Sequence, residues 1–331
     1  MSDRFQLGPV GPSNILHDPQ WHIWGGGVVR ADDGLYYMLV ARWPREKGFA
    51  AWVTHSEIAC ATATSPQGPY TMQGTVIGRR DGRWWDADNC HNPMPIRVND
   101  RFYCYYTGNY GSGEWWDHRN HQRVGYAVTD HPTGPWKRAD VPLISTTPGA
   151  WDHLMTACPV VTRGGDDRFY MVYKGVSKGS PPFGGMVRMG LAIADRPEGP
   201  FVKQTGNFFD APGVKFPSDD NYIWFKDGAF HAIVKDYGGN FQNKHREALV
   251  RFVSTDCLHW EVDGANPVLT DFTYLRDDGQ RVGPVQRLDQ PQIIFDDTGT
   301  PLVLLLAVKE HPDDVNDDTA YNIHVPLTRG M

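Results

Sequence analysis

The sequence predicts an all-β, five-bladed β-propeller, because three patterns recur along its 331 residues. The first is a Gly-Pro-aromatic turn, written SPQGPY, HPTGPW and RPEGPF, whose glycines Gly68, Gly134 and Gly199 lie 66 and 65 residues apart. The second is an apolar strand, a tight acidic or glycine turn and an aromatic-rich strand, which is typical of a β-hairpin. The third is a further strand after each hairpin. Such regular self-similarity indicates a repeat architecture.

Five copies of the hairpin can be read in order along the chain. They are GGVVRADDGLYYMLVARW, PMPIRVNDRFYCYYTGN, PVVTRGGDDRFYMVYKG, YIWFKDGAFHAIVKD and PQIIFDDTGTPLVLLLAV. The third strands that follow them read EIACATA, QRVGYAVT, VRMGLAIA, ALVRFVS and YNIHVPL. The Gly-Pro-aromatic turn then leads to a short fourth strand, and a degenerate turn, STDCLHW, ends at Trp260. Five four-stranded antiparallel units of roughly 65 residues each describe a five-bladed propeller.

One domain should therefore span residues 1–331, with blades near residues 21–80, 84–145, 150–208, 217–270 and 285–331. The fifth repeat ends after three strands, at Leu327, while residues 4–10 precede the first repeat. We predict that this N-terminal segment supplies the missing strand, which would close the ring and cover its edge. A β-sandwich or two separate β domains are the alternatives, and the regular spacing argues against both.

Composition excludes several classes of partner. The formal net charge of −7 argues against a nucleic-acid partner, because phosphate binding needs a basic face. No apolar stretch is long enough to cross a bilayer, and the N-terminal residues lack the apolar segment of a signal peptide. The five cysteines are odd in number and widely spaced, which favours free thiols in a cytoplasmic protein. The oligomeric state is not indicated.

Candidate catalytic residues cluster before the predicted inner strands. In a propeller these strands line a central channel, and their first residues face one mouth of it. The segments at that point are rich in acids and histidines, from which we select Asp88, His91, Asp152, Asp220 and Asp289. The Trp-Asp pairs at residues 85–86 and 151–152 also fit a structural role, with Trp packing between blades and Asp capping a turn.

The five units with their Gly-Pro-aromatic turns resemble the five-bladed propeller glycoside hydrolases of families 43, 32 and 117. The resemblance implies hydrolysis of glycosidic bonds by acids on the inner strands of the first three blades, which read Asn-Asp-Pro, Arg-Asp-Pro and Glu-Cys-Pro in invertase-like members. At the nearest matching positions this chain carries Trp24, Asn92 and Ala157, so all three carboxylates are missing. Members of family 117 use a histidine acid and a different constellation, so other residues could take over the chemistry.

Hydrolysis of a glycoside needs one group to protonate the leaving oxygen and another to activate water or attack carbon. We predict an exo-acting, inverting glycosidase that removes a terminal sugar from an oligosaccharide. An aspartate of blade four or five, Asp220 or Asp289, would be the base, and a second aspartate or a histidine the acid. The alternatives are a non-catalytic carbohydrate-binding propeller that has lost its acids, or a phosphorylase or lyase on the same scaffold.

A ring of cations is expected at the ends of the second strands. Lys174, Lys235 and Lys309 occupy matching repeat places, with Arg42 nearby in the first blade and Glu310 after the last lysine. They could form ion pairs on the rim, or a subsite for an anionic sugar such as a uronate.

Other side chains complete the predicted substrate site: Trp24, Asn92 and His153 near the inner strands, and Trp43, Trp84, Trp115 and Trp116 in mouth loops. Exposed indole faces stack on sugar rings, although most propeller tryptophans pack in the core. No zinc-type spacing occurs, and no cofactor is expected to be required. Channel carboxylates could hold a structural Ca²⁺ ion.

Overall fold

The computed structural model describes residues 5–241, 247–264, 268–269, 272–275, 279–285, 287–309 and 320–329. It is nearly all β and forms five antiparallel blades around a channel, so the predicted fold is confirmed. Each blade places its first strand innermost and its last strand outermost, as the repeat pattern indicated.

The strands of the five blades have the following bounds. Blade one contains β3 (Trp21–Arg30), β4 (Tyr36–Pro44), β5 (Glu57–Ala63) and β6 (Thr71–Ile77). Blade two contains β7 (Asn89–Val98), β8 (Arg101–Asn109), β9 (Arg123–Thr129) and β10 (Lys137–Arg138), and blade three contains β11 (Met155–Arg163), β12 (Phe169–Val176), β13 (Val187–Ala194) and β14 (Val202–Lys203). Blade four contains β15 (Ser218–Lys226), β16 (Ala229–Asp236), β17 (Ala248–Ser254) and β18 (Glu261–Val262), and blade five contains β21 (Arg287–Phe295), β22 (Pro301–Lys309) and β23 (Ala320–Arg329).

The N-terminal segment closes the ring, as predicted. Strand β1 (Phe5–Leu7) pairs antiparallel with the last three residues of β23, and β2 (Ile15–Leu16) pairs with the middle of the same strand. The fifth blade is therefore built from both ends of the chain, which removes an open edge from its outer strand.

Deleting residues 1–10 should lower the melting temperature of the whole domain by several degrees, because it removes β1 and exposes the edge of β23. Circular dichroism melts of the truncated and full-length proteins would measure this. Deleting only residues 1–4, which precede β1, is the control and should have no effect. An unchanged melting temperature without residues 1–10 would contradict closure by this segment.

Three Gly-Pro turns follow the third strands of blades one to three. The peptide bonds at Gly68-Pro69, Gly134-Pro135 and Gly199-Pro200 are all cis, and each glycine has a positive φ. In two of the turns the aromatic side chain donates a hydrogen bond back to the carbonyl four residues earlier, from Tyr70 over 3.1 Å and from Trp136 over 3.0 Å. The repeat recognised in the sequence is therefore one recurring turn geometry.

Some elements lie outside the repeat. A hairpin of β19 (Phe272–Leu275) and β20 (Arg281–Val285) stands between blades four and five and was not predicted. Short helices α1 (Trp52–His55) and α2 (Trp115–Asn120), with 3-10 turns at Pro12–Asn14, Arg45–Lys47 and Phe49–Ala51, occupy loops. None of the helices in the described part of the chain is long and apolar enough to cross a membrane. All five cysteines are free and buried, as predicted.

Every inner strand is interrupted by a bulge at the same place. Two residues drop out of the ladder with the second strand, and the first of them has a positive φ of 40–60°. These first residues are Gly25, Asn92, Cys158, Asp220 and Gln290. A bulge re-aims a side chain and is common beside functional sites, so the five bulges define equivalent positions around the channel.

Candidate functional site

A pocket lies at the mouth of the channel where the inner strands begin. Four of the five bulge residues line it, together with side chains from the loops above. Its lining is Trp24, Trp43, Phe49, Trp52, His91, Asn92, Gln122, Cys158, Lys174, Asp219, Asp220, Arg287, Asp289 and Gln290. The structure therefore brings together three of the predicted catalytic residues, His91, Asp220 and Asp289, and places Asp88 and Asp152 elsewhere.

The opposite mouth holds a larger cavity of about 620 Å³, but its chemistry is different. Its walls are mainly the apolar ends of the inner strands, and the arginines on its rim pair with turn aspartates. These pairs are Arg30 with Asp297, Arg97 with Asp32, and Arg163 with Asp167. Exposed ion pairs of this kind contribute little to stability or chemistry. We therefore assign the candidate site to the smaller, acidic mouth.

Two carboxylates in the pocket are tied to lysines of the neighbouring blades. The ammonium of Lys174, in blade three, donates to Asp219 in blade four over 2.7 Å. Lys235, in blade four, contacts Asp289 in blade five, whose other oxygen accepts from the Arg287 guanidinium at 3.0 Å. Thus two lysines each reach an acid of the next blade, and both pairs are largely shielded from water.

Asp220 differs from its two neighbours because no cation among the described residues binds its carboxylate directly. It is 8% exposed, and one of its oxygens accepts a hydrogen bond from the amide of Gln290. Burial, followed by the negative charges of Asp219 and Asp289, raises the pKa of Asp220 to about 8. This carboxyl group is therefore mostly protonated at neutral pH.

Asp289 is held in the opposite state. Burial alone would raise its pKa, but the adjacent Lys235 and Arg287 lower it below the ordinary value for an aspartate. At pH 7 Asp220 is therefore neutral while Asp289 is ionised. Two acids whose surroundings shift their pKa values in opposite directions are typical of a general acid and general base pair.

His91 lines the pocket but does not carry a positive charge. Its Nδ1 lies 2.8 Å from the hydroxyl of Ser56, and its ring is 5.1 Å from that of Trp52. Burial, followed by the charge of Lys174, lowers the pKa of His91 to about 3. A neutral imidazole at pH 7 cannot act as a protonated acid, so Asp220 is the better candidate for that role.

Asp152 lies in a structural position that it shares with Asp86. Asp152 is buried and binds the Tyr173 hydroxyl at 3.2 Å and the Lys203 ammonium at 2.5 Å. The preceding Trp151 packs on its own blade, where a Cβ on Gly190 would lie 2.2 Å from its ring. The Trp-Asp pairs thus brace their own blades, and Trp85 also belongs to a buried cluster that includes Leu39 and Ile58 of blade one.

The other residues chosen from the loops also have local partners. Asp88 pairs with Arg79 at 2.6 Å and accepts from the backbone of Gly111, which anchors the loop after β8. His153 accepts from the backbone N–H of Gly149 and does not line the pocket.

The predicted ring of cations is only partly realised. Lys174 faces Ala157 and Lys235 faces Asp219, in each case the last residue before the bulge. In blade five the last residue before the bulge is Asp289, and the residue that faces it is Ala307. Lys309, two residues later, was therefore misaligned; its ammonium lies 4.9 Å from the Phe49 ring.

Two further predicted contacts lie apart from the pocket. Arg42 pairs with Glu57 at 2.9 Å and stacks on Trp21, and it is absent from the pocket lining. Glu310 lies outside the described residues.

The bulges also correct the alignment with the resembled families. Gly25, rather than Trp24, is the first-blade position equivalent to Asn92, because both are the first residue of a bulge. Trp24 instead corresponds to His91 and Ala157. Blades one to three still present no carboxylate at these positions, so the acids of this pocket come from blades four and five.

One group of side chains could be considered for a metal ion. The Cys158 sulfur and carboxylate oxygens of Asp219 and Asp220 lie within 4.8 Å of one another. Ca²⁺ prefers six to eight oxygen ligands, and here a thiol and the Lys174 ammonium stand beside the two acids. The predicted Ca²⁺ site does not fit this group, because a lysine already neutralises it.

Several functional candidates were missed in the sequence. Asp219 is adjacent to the selected Asp220, and its repeat position matches that of Asp289, so the alignment of the inner strands could have found it. Arg287 lies two residues before Asp289 and alternates onto the same face. Phe49 and Trp52 come from a loop outside the repeat, and no local pattern marks them.

The fold and pocket together define a five-bladed propeller with a buried acid pair at one mouth of its channel. No protein-family model matches the chain, and no curated protein matches its sequence.

Solved structures share this architecture over nearly the whole chain. A family 117 glycoside hydrolase from the marine bacterium Zobellia galactanivorans superposes with a TM-score of 0.64 at 16% identity, covering 98% of this chain and 90% of its own. A thermostable family-43 glycoside hydrolase superposes with a TM-score of 0.62 at 13% identity, covering 96% of this chain and 92% of its own. An α-L-arabinofuranosidase from Lactobacillus brevis superposes with a TM-score of 0.63 at 13% identity, covering 94% of this chain and 92% of its own. The predicted resemblance to families 117 and 43 is therefore confirmed as a shared fold.

Proposed function

We propose that this protein is a glycoside hydrolase in which Asp220 is the general acid and Asp289 the general base. The observation that carries the proposal is that two buried aspartates lining one pocket have surroundings that shift their pKa values in opposite directions. Glycoside hydrolysis requires both states at once, one carboxyl to protonate the leaving oxygen and one carboxylate to activate water. The shared fold with glycoside hydrolases supports the same class of reaction.

Asp220 suits the acid role because its proton is retained at neutral pH. The Gln290 amide binds one oxygen and orients the carboxyl group, which leaves the second oxygen to donate into the pocket. As the proton leaves, the new carboxylate would be stabilised by Lys174 and Lys235, whose charges favour the ionised form. The group can then regain its proton after the product departs.

Asp289 suits the base role because two cations keep it ionised and in place. Its contacts with Lys235 and Arg287 hold the carboxylate in place, and we propose that it accepts a proton from water on the opposite side of the sugar. Direct attack by water gives inversion at the anomeric carbon.

The closed shape of the channel supports action at a chain end. Below the pocket, blades one, two and five meet so closely that a Cβ on Gly27 would lie 2.4 Å from Gln292 and 2.5 Å from Pro95. The inner strands of these three blades are therefore in close contact beneath the pocket, and we propose that a terminal sugar enters the mouth above them. Each cation of the pocket is already bound to a carboxylate, so a neutral sugar fits better than the anionic sugar considered from sequence.

A carbohydrate-binding propeller without activity is the second candidate. It is favoured by the bulge positions of the first three blades, where Gly25, Asn92 and Cys158 supply no carboxylate. The two candidates differ in whether the acids of blades four and five act chemically, so turnover distinguishes them.

The test is a panel of 4-nitrophenyl glycosides and short oligosaccharides, including arabinosides, xylosides, galactosides and glucuronides, followed by proton NMR of the first product. We expect release of one neutral monosaccharide with inverted anomeric configuration. Retention would contradict the role of Asp289 and favour attack by Asp219, because closely spaced acids act as a nucleophile pair. Binding without release of any sugar would favour the binding propeller.

A further inference from the structure

Three aromatic side chains form a continuous surface beside the pocket. Trp115 and Trp116 in helix α2 contact each other at 4.5 Å between ring centroids, and Trp116 contacts Phe183 at 4.7 Å. Phe183, in the loop after β12, is 55% exposed. We call Trp115, Trp116 and Phe183 the aromatic platform.

The platform begins at the rim of the pocket. Trp52 lines the pocket and contacts Trp115 edge-on, with ring centroids 5.8 Å apart. From there the rings lead over blade two to the loop of blade three, away from Asp220 and Asp289. A ligand with its end in the pocket would therefore extend along these rings.

Main-chain hydrogen bonds hold the platform in place. The Trp115 indole donates to the carbonyl of Ala50 at 2.9 Å, which ties α2 to the loop of blade one. On the other side, Asn120 donates to the carbonyl of Pro182 at 3.0 Å and Arg119 to that of Phe183 at 3.3 Å. Arg119 also lies 5.7 Å from the Trp116 ring. A surface fixed in advance loses little entropy when a ligand binds.

The platform contributes little to the core of the protein. The buried hydrophobic clusters of the described residues do not include its three side chains. Phe183 is exposed and the two tryptophans are half-buried. Apolar side chains that reach the surface together are typical of a binding site, and aromatic rings offer apolar faces that complement sugar rings.

We propose that the aromatic platform binds the second and later sugars on the leaving-group side of an oligosaccharide whose terminal sugar occupies the pocket. Trp52 and Trp115 stand between the pocket and Trp116, so the first leaving-group sugar lies nearer the pocket than the platform's outer rings. The assignment rests on the proposed function, and it names the substrate as an oligosaccharide chain rather than a disaccharide. Binding energy gained far from the reacting bond can then be used to raise the rate.

The test compares a disaccharide and a tetrasaccharide with the same terminal sugar, chosen from the active members of the panel. We expect kcat/KM of the parent to rise with chain length. Trp116→Ala and Phe183→Ala should each lower kcat/KM about tenfold on the tetrasaccharide and less than twofold on the disaccharide. Trp116→Phe, which keeps a ring, should retain most of the chain-length effect. Trp136→Ala, in the turn at the other end of blade two, is the control and should leave it unchanged.

Equal losses on both substrates, or no dependence on chain length in the parent, would overturn the platform assignment. If no oligosaccharide is hydrolysed, calorimetric titration with xylotetraose and arabinotetraose replaces kinetics. Parent binding that Trp116→Ala weakens about tenfold would then support the platform while the hydrolase proposal fails. Binding unaffected by both alanine variants, or no binding by the parent, would overturn the platform.

Discussion

Asp220→Asn and Asp289→Asn should each lower kcat by about 100- to 10,000-fold, the range expected when a positioned acid or base is removed. The amide of Asp220→Asn cannot give up a proton to the leaving oxygen, and the amide of Asp289→Asn cannot accept one from water. Steady-state assays on the best substrate of the panel would measure both losses. Asp263→Asn, which removes a carboxylate paired with Arg251 far from the pocket, is the matched control and should keep full activity.

The pH dependence of the parent should identify the two roles. Activity requires Asp289 ionised and Asp220 protonated, so kcat/KM should fall below the lowered pKa of Asp289 and above about pH 8. The residual activity of Asp220→Asn should lack the alkaline limb. If both variants keep near-full activity, neither residue has the assigned role, and Asp219, followed by the sequence candidates Asp88, Asp152 and Glu310, must be tested.

Asp220→Asn should also change how the stability of the protein depends on pH. The pKa of Asp220 is raised from 3.8 to about 8 in the folded protein, so the folded state binds this proton more tightly than the unfolded chain. The stability that the protonated group contributes is lost as the pH rises from about 4 to above 8. Asp220→Asn should therefore melt several degrees above the parent at pH 9, while the two differ least at acid pH.

Asp86→Ala should have the largest effect on stability, at about 3–5 kcal/mol in the free energy of unfolding. Asp86 is fully buried and binds the guanidinium groups of Arg80 and Arg138 and the hydroxyl of Tyr106. Its removal leaves two shielded cations without their carboxylate, and such charges are costly because the interior cannot solvate them. Urea denaturation at pH 7 would measure the loss.

Asp152→Ala provides the comparison within the same motif. Its partner Lys203 is 29% exposed and can reach water, so the loss of stability should be smaller than for Asp86→Ala. In both variants kcat should stay near the parent value at temperatures where the protein is folded. A large loss of kcat with unchanged stability would contradict the structural assignment of the Trp-Asp pairs and restore Asp152 as a catalytic candidate.

The acids of the pocket lie at positions set by the repeat, in blades four and five, rather than at the positions expected from the resembled families. All five blades present a bulge residue at the mouth, so the scaffold offers equivalent places to any blade. In this chain Asp220 occupies such a place in blade four, while Gly25 and Asn92 hold those of blades one and two. A propeller can therefore supply acids from different blades while the strand architecture is kept.

The sequence by itself determined the repeat, the number of blades and the closure of the ring. These features depend on local signals: alternating apolar residues in the strands, acidic turns within the hairpins, and the Gly-Pro-aromatic turns around Gly68, Gly134 and Gly199. Each signal acts within a few residues, so it can be read without knowledge of distant partners. Three of the predicted catalytic residues, His91, Asp220 and Asp289, also lie in the pocket, as do the predicted Trp24, Asn92 and Lys174, because their positions follow from the repeat.

The tertiary structure alone decided which charges meet and in what state. Asp152 and Asp220 both lie near the start of an inner strand, yet Asp152 is bound to Lys203 within its blade. The pKa of Asp220 is instead raised by burial and then by the charges of Asp219 and Asp289. Strand register showed that Lys235 and Lys309 are not equivalent, since Lys235 faces Asp219 whereas Lys309 faces Arg287. A bulge changes which residues face each other, and the local sequence does not reveal that change. The aromatic platform likewise depends on loops from blades one, two and three meeting in space. Protonation, ion pairing and pocket shape are properties of distant contacts, and they arise only when the blades close around the channel.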